Sequence, residues 1–174
     1  VLSEKSLGIT PLIAGQGAAD WGFELDIEQP SSLGADRALN AIAAHRKYDG
    51  DLIVIDFGTA TTFDVVSAQG QYVGGAIAPG IEISLEALGR RGAQLRKVEL
   101  ARPRSVIAKN TVEALQSGMV FGTAAQVEGL VARMVRELGV PTEQVRVIST
   151  GYLAPLVVGE CGCFTDHEPW LTLQ

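Results

Sequence analysis

Hydrophobic residues form a run of four, Leu52 to Ile55, that is bounded by polar residues on both sides. A short apolar run between turn residues predicts a buried β-strand, here over 51–56. Further strands are predicted over 60–67 and 71–78, with a turn at Ala68-Gln69-Gly70-Gln71 between them. Because such short connections join antiparallel neighbours, the pattern predicts a β-meander.

Helical patterns lie on both sides of the meander. Ser31 or Ser32 can cap a helix that runs to about Tyr48, because a hydroxyl accepts a backbone N–H of the first turn. The apolar stripe of this helix is predicted to consist of Leu39, Ile42 and Ala43, and Asp49-Gly50 ends it. After the meander, residues 81–91 are predicted to be helical and residues 94–100 to be extended.

The longest predicted helix begins after Asn110. Asn110 and Glu113 form a capping-box pattern, and Gly139 and Pro141 stop the helix at Leu138. Two glycines four residues apart, Gly118 and Gly122, indicate either a close helix crossing or a break into two helices. The predicted buried stripe consists of Val127, Leu130, Val131, Met134 and Leu138.

No internal repeat or low-complexity linker divides the chain, so residues 1–174 are interpreted as a single domain. Residues 1–30 are predicted to be irregular, with a short strand near 11–14. A last strand, Val145 to Ser149, leads through Thr150-Gly151 to a short helix. The fold class is therefore α/β (α+β), an antiparallel β-meander with helices.

Composition and net charge limit the classes of partner that this protein can have. The 174 residues are 47% hydrophobic and 20% charged, with a net charge of −6, which argues against nucleic acid as a partner. No apolar stretch approaches the roughly 20 residues of a membrane span, so no membrane partner is expected and a cytoplasmic protein is predicted. Cys161 and Cys163 are expected to be free thiols, because Cys-Gly-Cys rarely forms a disulfide without strain and His167 gives zinc only a third ligand.

Phosphate chemistry is indicated where the first strand ends. Asp56-Phe57-Gly58-Thr59-Ala60-Thr61-Thr62 joins a carboxylate, a glycine turn and a cluster of hydroxyls. The turn lets backbone N–H groups and hydroxyls meet phosphate oxygens, and the carboxylate can hold a cation beside them. The alternative is a Thr-rich hairpin without ligand, because threonine is a good strand former.

Two charged residues in the first turns of the first predicted helix are further candidates. Asp36 is a candidate general base, and the alternative is a carboxylate that only complements the helix dipole. Arg37 can bind a substrate carboxylate through two hydrogen bonds, and its alternative is a surface ion pair with Glu28 or Asp49.

Four segments in order resemble the type III pantothenate kinases, members of the acetate/sugar kinase, Hsp70 and actin superfamily. They are Gly34-Ala35-Asp36-Arg37, the Asp56 segment, Gly74-Gly75-Ala76-Ile77-Ala78-Pro79-Gly80 and Lys109-Asn110-Thr111-Val112-Glu113-Ala114. The resemblance runs from Pro11 to the closing Trp170-Leu171-Thr172-Leu173. It implies an actin-like, ribonuclease H-like kinase fold.

The resemblance also implies an activity: ATP-dependent phosphorylation of pantothenate, which opens coenzyme A biosynthesis. It implies Mg²⁺, a monovalent cation (K⁺ or NH₄⁺) and a homodimer. By the resemblance, Asp36 is the proton acceptor, Asp56 the cation ligand, and Gly58 and Thr59 contact ATP. The pantothenate site then includes Ile27, Gly34, Ala35, Asp36, Arg37 and Thr111, and the last of these is alternatively a plain helix N-terminal hydroxyl.

The chain departs from the family pattern in three respects. Ile27 stands where an aromatic residue usually contacts substrate, and Tyr152 replaces a glycine of the adenine-side turn. The first phosphate loop, of the type Asp-x-Gly-Asn-Thr, is absent from the sequence, so we interpret the chain as mostly the C-terminal half of a two-domain kinase, and the chain alone is expected to be inactive. The rival interpretation is a non-catalytic relative that binds ligand or acts as an accessory regulator.

Overall fold

A mixed five-stranded sheet lies at the centre of the computed structural model, which describes Gly8, residues 22–91 and residues 98–173. The strands are β1 (Asp51–Phe57), β2 (Ala60–Val66), β3 (Tyr72–Pro79), β4 (Val145–Thr150) and β5 (Asp166–His167). Their order in the sheet is β3-β2-β1-β4-β5. The pairs β1–β2 and β2–β3 are antiparallel, whereas β1–β4 and β4–β5 are parallel.

Strand β1 is buried on both faces, which explains its continuous apolar run. Successive side chains of a strand point to opposite faces, so the run divides between two cores. Leu52 and Val54 belong to one cluster, and Ile53, Ile55 and Phe57 belong to the other.

Helices cover both faces of the sheet. In the described residues they are α1 (Ala35–Lys47), α2 (Ile81–Arg91), α3 (Thr111–Leu138) and the short α4 (Ala154–Val157). Helix α1 packs on the Leu52 face through Ala41 and Ala44. Helix α3 packs on the opposite face through Ala124, Val127, Val131 and Val135. None of the helices in the described part of the chain is long and apolar enough to cross a membrane.

The α/β fold class and the antiparallel meander are confirmed. The three meander strands agree with the predicted ranges to within one residue at each end, and β4 ends one residue later than predicted. Strand β5 was not predicted, because two residues carry no periodic signal. The expected strand near 11–14 and part of the extended stretch 94–100 lie outside the described residues.

The predicted start and apolar stripe of α1 are wrong. Gly34 occupies the N-cap without a side-chain hydrogen bond, while Ser32 lies in a 3-10 turn, Pro30–Ser32, and donates to the Gln29 carbonyl at 2.7 Å. Leu39 and Ile42 are only partly buried, and the fully buried face carries alanines, Ala38, Ala41 and Ala44. Small side chains face inward here because they bring the helix close to the sheet.

The capping box of α3 is confirmed. Asn110 Oδ1 accepts the Glu113 backbone N–H at 2.9 Å, and Asn110 Nδ2 donates to the Glu113 carboxylate at 2.9 Å. The helix is continuous over 28 residues and ends at Gly139, whose φ of 71° suits glycine. The break at Gly118 and Gly122 does not occur, and both glycines are exposed.

Candidate active site

Asp56 is the partly buried, next-to-last residue of β1, and the buried side-chain amide of Asn40 holds its carboxylate. Its Oδ2 accepts a hydrogen bond from Asn40 Nδ2 of α1 at 2.9 Å. The other end of the same amide, Asn40 Oδ1, accepts from the Thr172 hydroxyl at 2.7 Å. Asn40 is fully buried, so these two bonds fix which end of the amide faces Asp56.

The surroundings of Asp56 disfavour its negative charge. Burial raises the pKa of the Asp56 carboxyl, and the nearby Asp36 carboxylate raises that pKa further. The hydrogen bond from Asn40 lowers the same pKa but does not cancel the rise. Asp36 and Asp56 are therefore within electrostatic reach of each other.

Asp36 lies in the first turn of α1 and is exposed. Its carboxylate folds back over Gly34, where an added Cβ would lie 2.6 Å from Asp36 Oδ1. Gly34 therefore leaves room for this carboxylate. Ala35, the first residue of the helix, is exposed beside it.

Arg37 forms a buried ion pair with Asp64 of β2. Arg37 Nε donates to Asp64 Oδ1 at 2.8 Å, and Arg37 Nη2 donates to the Tyr72 hydroxyl at 2.7 Å. Tyr72 in turn donates to Asp64 Oδ1 at 2.6 Å, and Thr62 donates to Asp64 Oδ2 at 3.1 Å. The alternative considered for Arg37, a surface ion pair with Glu28 or Asp49, is wrong in its partner, which is Asp64 on the sheet beneath α1.

Asp64 is fully buried, and burial raises the pKa of its carboxyl. The hydrogen bond from Tyr72 and the charge of Arg37 oppose that rise. The Arg37 side chain remains 17% exposed. Arg37 is therefore not completely enclosed by its partners.

Three backbone segments meet beside Asp56 and leave no room for side chains. An added Cβ on Gly80 would lie 2.3 Å from the Thr59 carbonyl oxygen. An added Cβ on Gly151, whose φ is 90°, would lie 2.5 Å from Asp56 Oδ1. The turn Gly58-Thr59 is tied by a hydrogen bond from the Gly58 N–H to the Ala60 carbonyl at 3.0 Å.

The threonine hydroxyls that follow Asp56 differ in exposure and in hydrogen bonding. Thr59 is exposed at the turn, whereas Thr61 is buried and Thr62 donates to Asp64. Of the three hydroxyls proposed for phosphate, the Thr59 hydroxyl is the one at the surface. Its neighbour Gly58 is partly exposed.

The other residues singled out from the sequence differ in their exposure. Ile27 is partly buried and packs against the core cluster beneath α1. Thr111 is exposed at the first position of α3. Tyr152 is 65% exposed, and its hydroxyl donates to Glu82 at the start of α2.

Asn40, Asp64 and Tyr72 were not singled out from the sequence. Asn40 lies four residues after Asp36, so both side chains project from neighbouring turns of one helix face, and this spacing was a usable signal. Asp64 stands among apolar residues within β2, and a carboxylate in such a strand needs a partner. That partner is far away in sequence and cannot be deduced from local pattern.

The described residues contain no group of three or more His, Cys, Asp and Glu side chains arranged to hold a metal ion. Asp36 and Asp56 fit a singly charged cation, since a positive charge would offset the burial and the Asp36 repulsion that raise the pKa of Asp56. Gly151 leaves Asp56 Oδ1 uncovered by a side chain.

The fold resembles that of a solved structure of a conserved Baf family protein from Campylobacter jejuni. The two share a TM-score of 0.55 at 21% sequence identity, over 87% of this chain and 64% of that one. This likeness shows the fold alone, an α/β architecture in which helices cover both faces of a mixed sheet.

Sequence comparison identifies the family. The family profile for type III pantothenate kinase matches residues 1–133. A type III pantothenate kinase of a Nocardioides species is 71% identical over 154 residues, covering 88% of this chain and 60% of that protein. One from Streptomyces griseus is 56% identical over 172 residues, covering 99% of this chain and 65% of that protein. The chain belongs to the type III pantothenate kinase family, and it spans less than two thirds of the length of these relatives.

Replacing Asp56 with Asn should stabilise the fold at neutral pH. A carboxyl whose pKa is raised on folding contributes stability that is present below its unfolded pKa and is lost as the pH rises through its folded pKa. The amide can still accept from Asn40, so Asp56→Asn should raise the melting temperature by about 2 °C or more at neutral pH.

Thermal unfolding measured as a function of pH checks this expectation. The gain should shrink as the pH falls toward the ordinary range of an aspartate, about 3.9. Asp49→Asn, at an exposed position after α1, removes one charge without altering the site. A lower melting temperature for Asp56→Asn at neutral pH would mean that the charged form is favoured, contrary to this account.

Proposed function

We propose that the protein containing this chain transfers the γ-phosphoryl group of ATP to pantothenate, giving 4′-phosphopantothenate. The observation that carries the proposal is the Asp56 carboxylate, which Asn40 holds at 2.9 Å beside the Gly58-Thr59 turn and within electrostatic reach of the exposed Asp36. Family membership supports it, because the matched relatives bear the name type III pantothenate kinase. The use of ATP supports a cytoplasmic location.

Asp36 is proposed as the base for the attacking hydroxyl. The primary alcohol of the substrate attacks the γ-phosphorus, the bond to the ADP oxygen breaks, and Asp36 accepts the hydroxyl proton. Exposure of Asp36 supports this role, because a substrate can reach its carboxylate. The Arg37–Asp64 ion pair next to it keeps the first turn of α1 in place.

Asp56 is proposed as the ligand for K⁺ or NH₄⁺, with Gly58 and Thr59 binding ATP and its Mg²⁺. Bound cations neutralise charge on the phosphates. Asp56 contributes a carboxylate that Asn40 orients, and the exposed turn contributes the Thr59 hydroxyl.

The pantothenate site is proposed to extend from Gly34 and Ala35 to Arg37, with Ile27 and Thr111 as further contacts. The exposed part of Arg37 would meet the substrate carboxylate. Its guanidinium is already oriented by Asp64 and Tyr72, so little side-chain entropy is lost on binding.

An assay of pantothenate-dependent ADP release tests the function and the role of Asp36. In the longest natural protein that contains this sequence, Asp36→Asn should lower kcat by roughly 10²-fold or more with little change in KM, because the shape is kept and the base is lost. Asp49→Asn should leave both constants unchanged.

Two results would overturn these assignments. A folded protein that releases no pantothenate-dependent ADP is a non-catalytic relative. Near-normal turnover of Asp36→Asn together with a lower melting temperature would assign Asp36 to helix stabilisation alone.

Cation dependence tests the role of Asp56. The wild-type protein should be more active in K⁺ than in Na⁺ or in buffer with a bulky organic cation, and Asp56→Asn should abolish that difference. The measurement is the initial rate at constant ionic strength and constant Mg²⁺. Equal wild-type rates in all three buffers would show that Asp56 does not bind an activating monovalent cation.

A C₂ homodimer is proposed as the assembly. On α3 an added Cβ at Gly118 or Gly122 would meet no atom within 4 Å, so this side of the helix offers close approach to another chain. Val112 on α3 is 50% exposed and Ile107 just before it is 76% exposed. Two-fold symmetry is the commonest for soluble oligomers.

Light scattering at micromolar concentration tests the assembly. The expected mass is that of two chains, and Gly122→Arg should shift the population toward one chain because its long side chain blocks close approach. A wild-type protein that stays monomeric over this concentration range would contradict the dimer.

A further inference from the structure

Two thiols lie together on the α3 side of the sheet, outside the candidate active site. Cys161 and Cys163 are both partly buried and pack against the core cluster that contains α3. Cys161 Sγ lies 3.8 Å from the Ala124 carbonyl oxygen, and the N–H of Gly162 donates to Glu128 at 2.8 Å. Helix α3 thus holds the Cys-Gly-Cys turn at two points.

The two thiols have opposite tendencies to ionise. Interaction with the Cys161 thiol lowers the pKa of Cys163, although burial and Glu128 oppose this effect. The same interaction and burial raise the pKa of Cys161. Cys163 is therefore the thiol of this pair that ionises more readily.

Cys163 also lies in the wall of a cavity of about 440 Å³. This volume falls within the range of small-molecule sites. Glu128 and Arg136 are in the same wall, so the cavity presents both signs of charge. Apolar residues complete it, namely Val131, Val135 and Val140.

We propose that Cys161 and Cys163 form a redox-active dithiol that a low-molecular-weight disulfide oxidises from this cavity. The Cys163 thiolate attacks one sulfur of the disulfide, a mixed disulfide forms, and one small thiol leaves with a proton from solvent. Cys161 loses its proton to solvent and attacks Cys163 Sγ, which releases the second small thiol. The chain loses two electrons and two protons, and the small disulfide gains them.

The resulting disulfide should be easily reversed. Cysteines separated by one residue close a small, strained ring, and strained disulfides are readily reduced. In reducing compartments such bonds are typically transient and redox-sensing rather than structural. The proposal does not depend on kinase activity.

The turn is also connected to β1. Phe164 follows Cys163 directly and packs edge-on against Phe57, with ring centroids 6.1 Å apart. Phe57 follows Asp56 in β1, and Gly151 lies against its backbone. A Cys161–Cys163 disulfide would therefore form directly beside Phe164, whose ring packs against the end of β1.

Intact-mass spectrometry of the full 174-residue chain treated with oxidised glutathione tests the proposal. The wild type should pass through an adduct carrying one glutathione and end as a chain that has lost two hydrogen atoms. Cys161→Ser should stop at the adduct, because no second thiol resolves it. Cys163→Ser should react about tenfold more slowly or worse, because the remaining thiol is mostly protonated.

Cys161→Ala and Cys163→Ala serve as second variants, and circular dichroism confirms that each variant is folded. Reduced glutathione in excess should restore the wild-type mass. A wild-type adduct that persists without loss of hydrogen would overturn the resolving role of Cys161. A Cys163→Ser chain that reacts as fast as the wild type would overturn the assignment of the nucleophile, and a wild type that remains unmodified would overturn the site.

Discussion

The buried ion pair between Arg37 and Asp64 is the interaction on which the arrangement of the site depends. Asp64 is fully buried within β2, and a buried charge is tolerated only with a partner and with its remaining lone pairs satisfied. Arg37, Tyr72 and Thr62 supply these contacts. If Arg37 moved away, the Asp64 charge would be left buried without a partner. The first turn of α1 is therefore held close to the sheet. Asp36, the residue before Arg37, is placed by the same constraint.

The position of α1 has consequences for stability and for chemistry. One turn beyond Asp36, Asn40 reaches Asp56 and holds its carboxylate near the end of β1. The negative charge of Asp56 is partly buried and lies near Asp36, so it lowers the free energy of unfolding. An uncharged residue at this position would not have that effect. The use proposed for this charge is to hold a cation beside phosphate groups. Gly80 and Gly151 complete the site because no larger residue fits there without displacing backbone.

Local pattern predicted the elements whose signal is contained within a few residues. The buried run of β1, the capping box at Asn110 and the glycine stop at Gly139 are of this kind, and the structure confirms them. Features that depend on packing between distant segments of the chain could not be predicted from local sequence pattern. The core face of α1 uses small alanines, so its larger apolar residues misled the assignment of the stripe. The partner of Arg37 is 27 positions away on another element, and no periodicity indicates it.

The central claim is that α1 brings Asp36 close enough to Asp56 to act on its charge. An NMR titration of the Asp56 side-chain carboxyl carbon, in the wild type and in Asp36→Asn, measures this directly. The account predicts that Asp56 titrates above the ordinary aspartate value of about 3.9. It also predicts that Asp36→Asn lowers the pKa of Asp56 part of the way, because burial is the larger cause of the rise and remains. An Asp56 pKa in the ordinary range, or one that does not change in Asp36→Asn, would contradict the account.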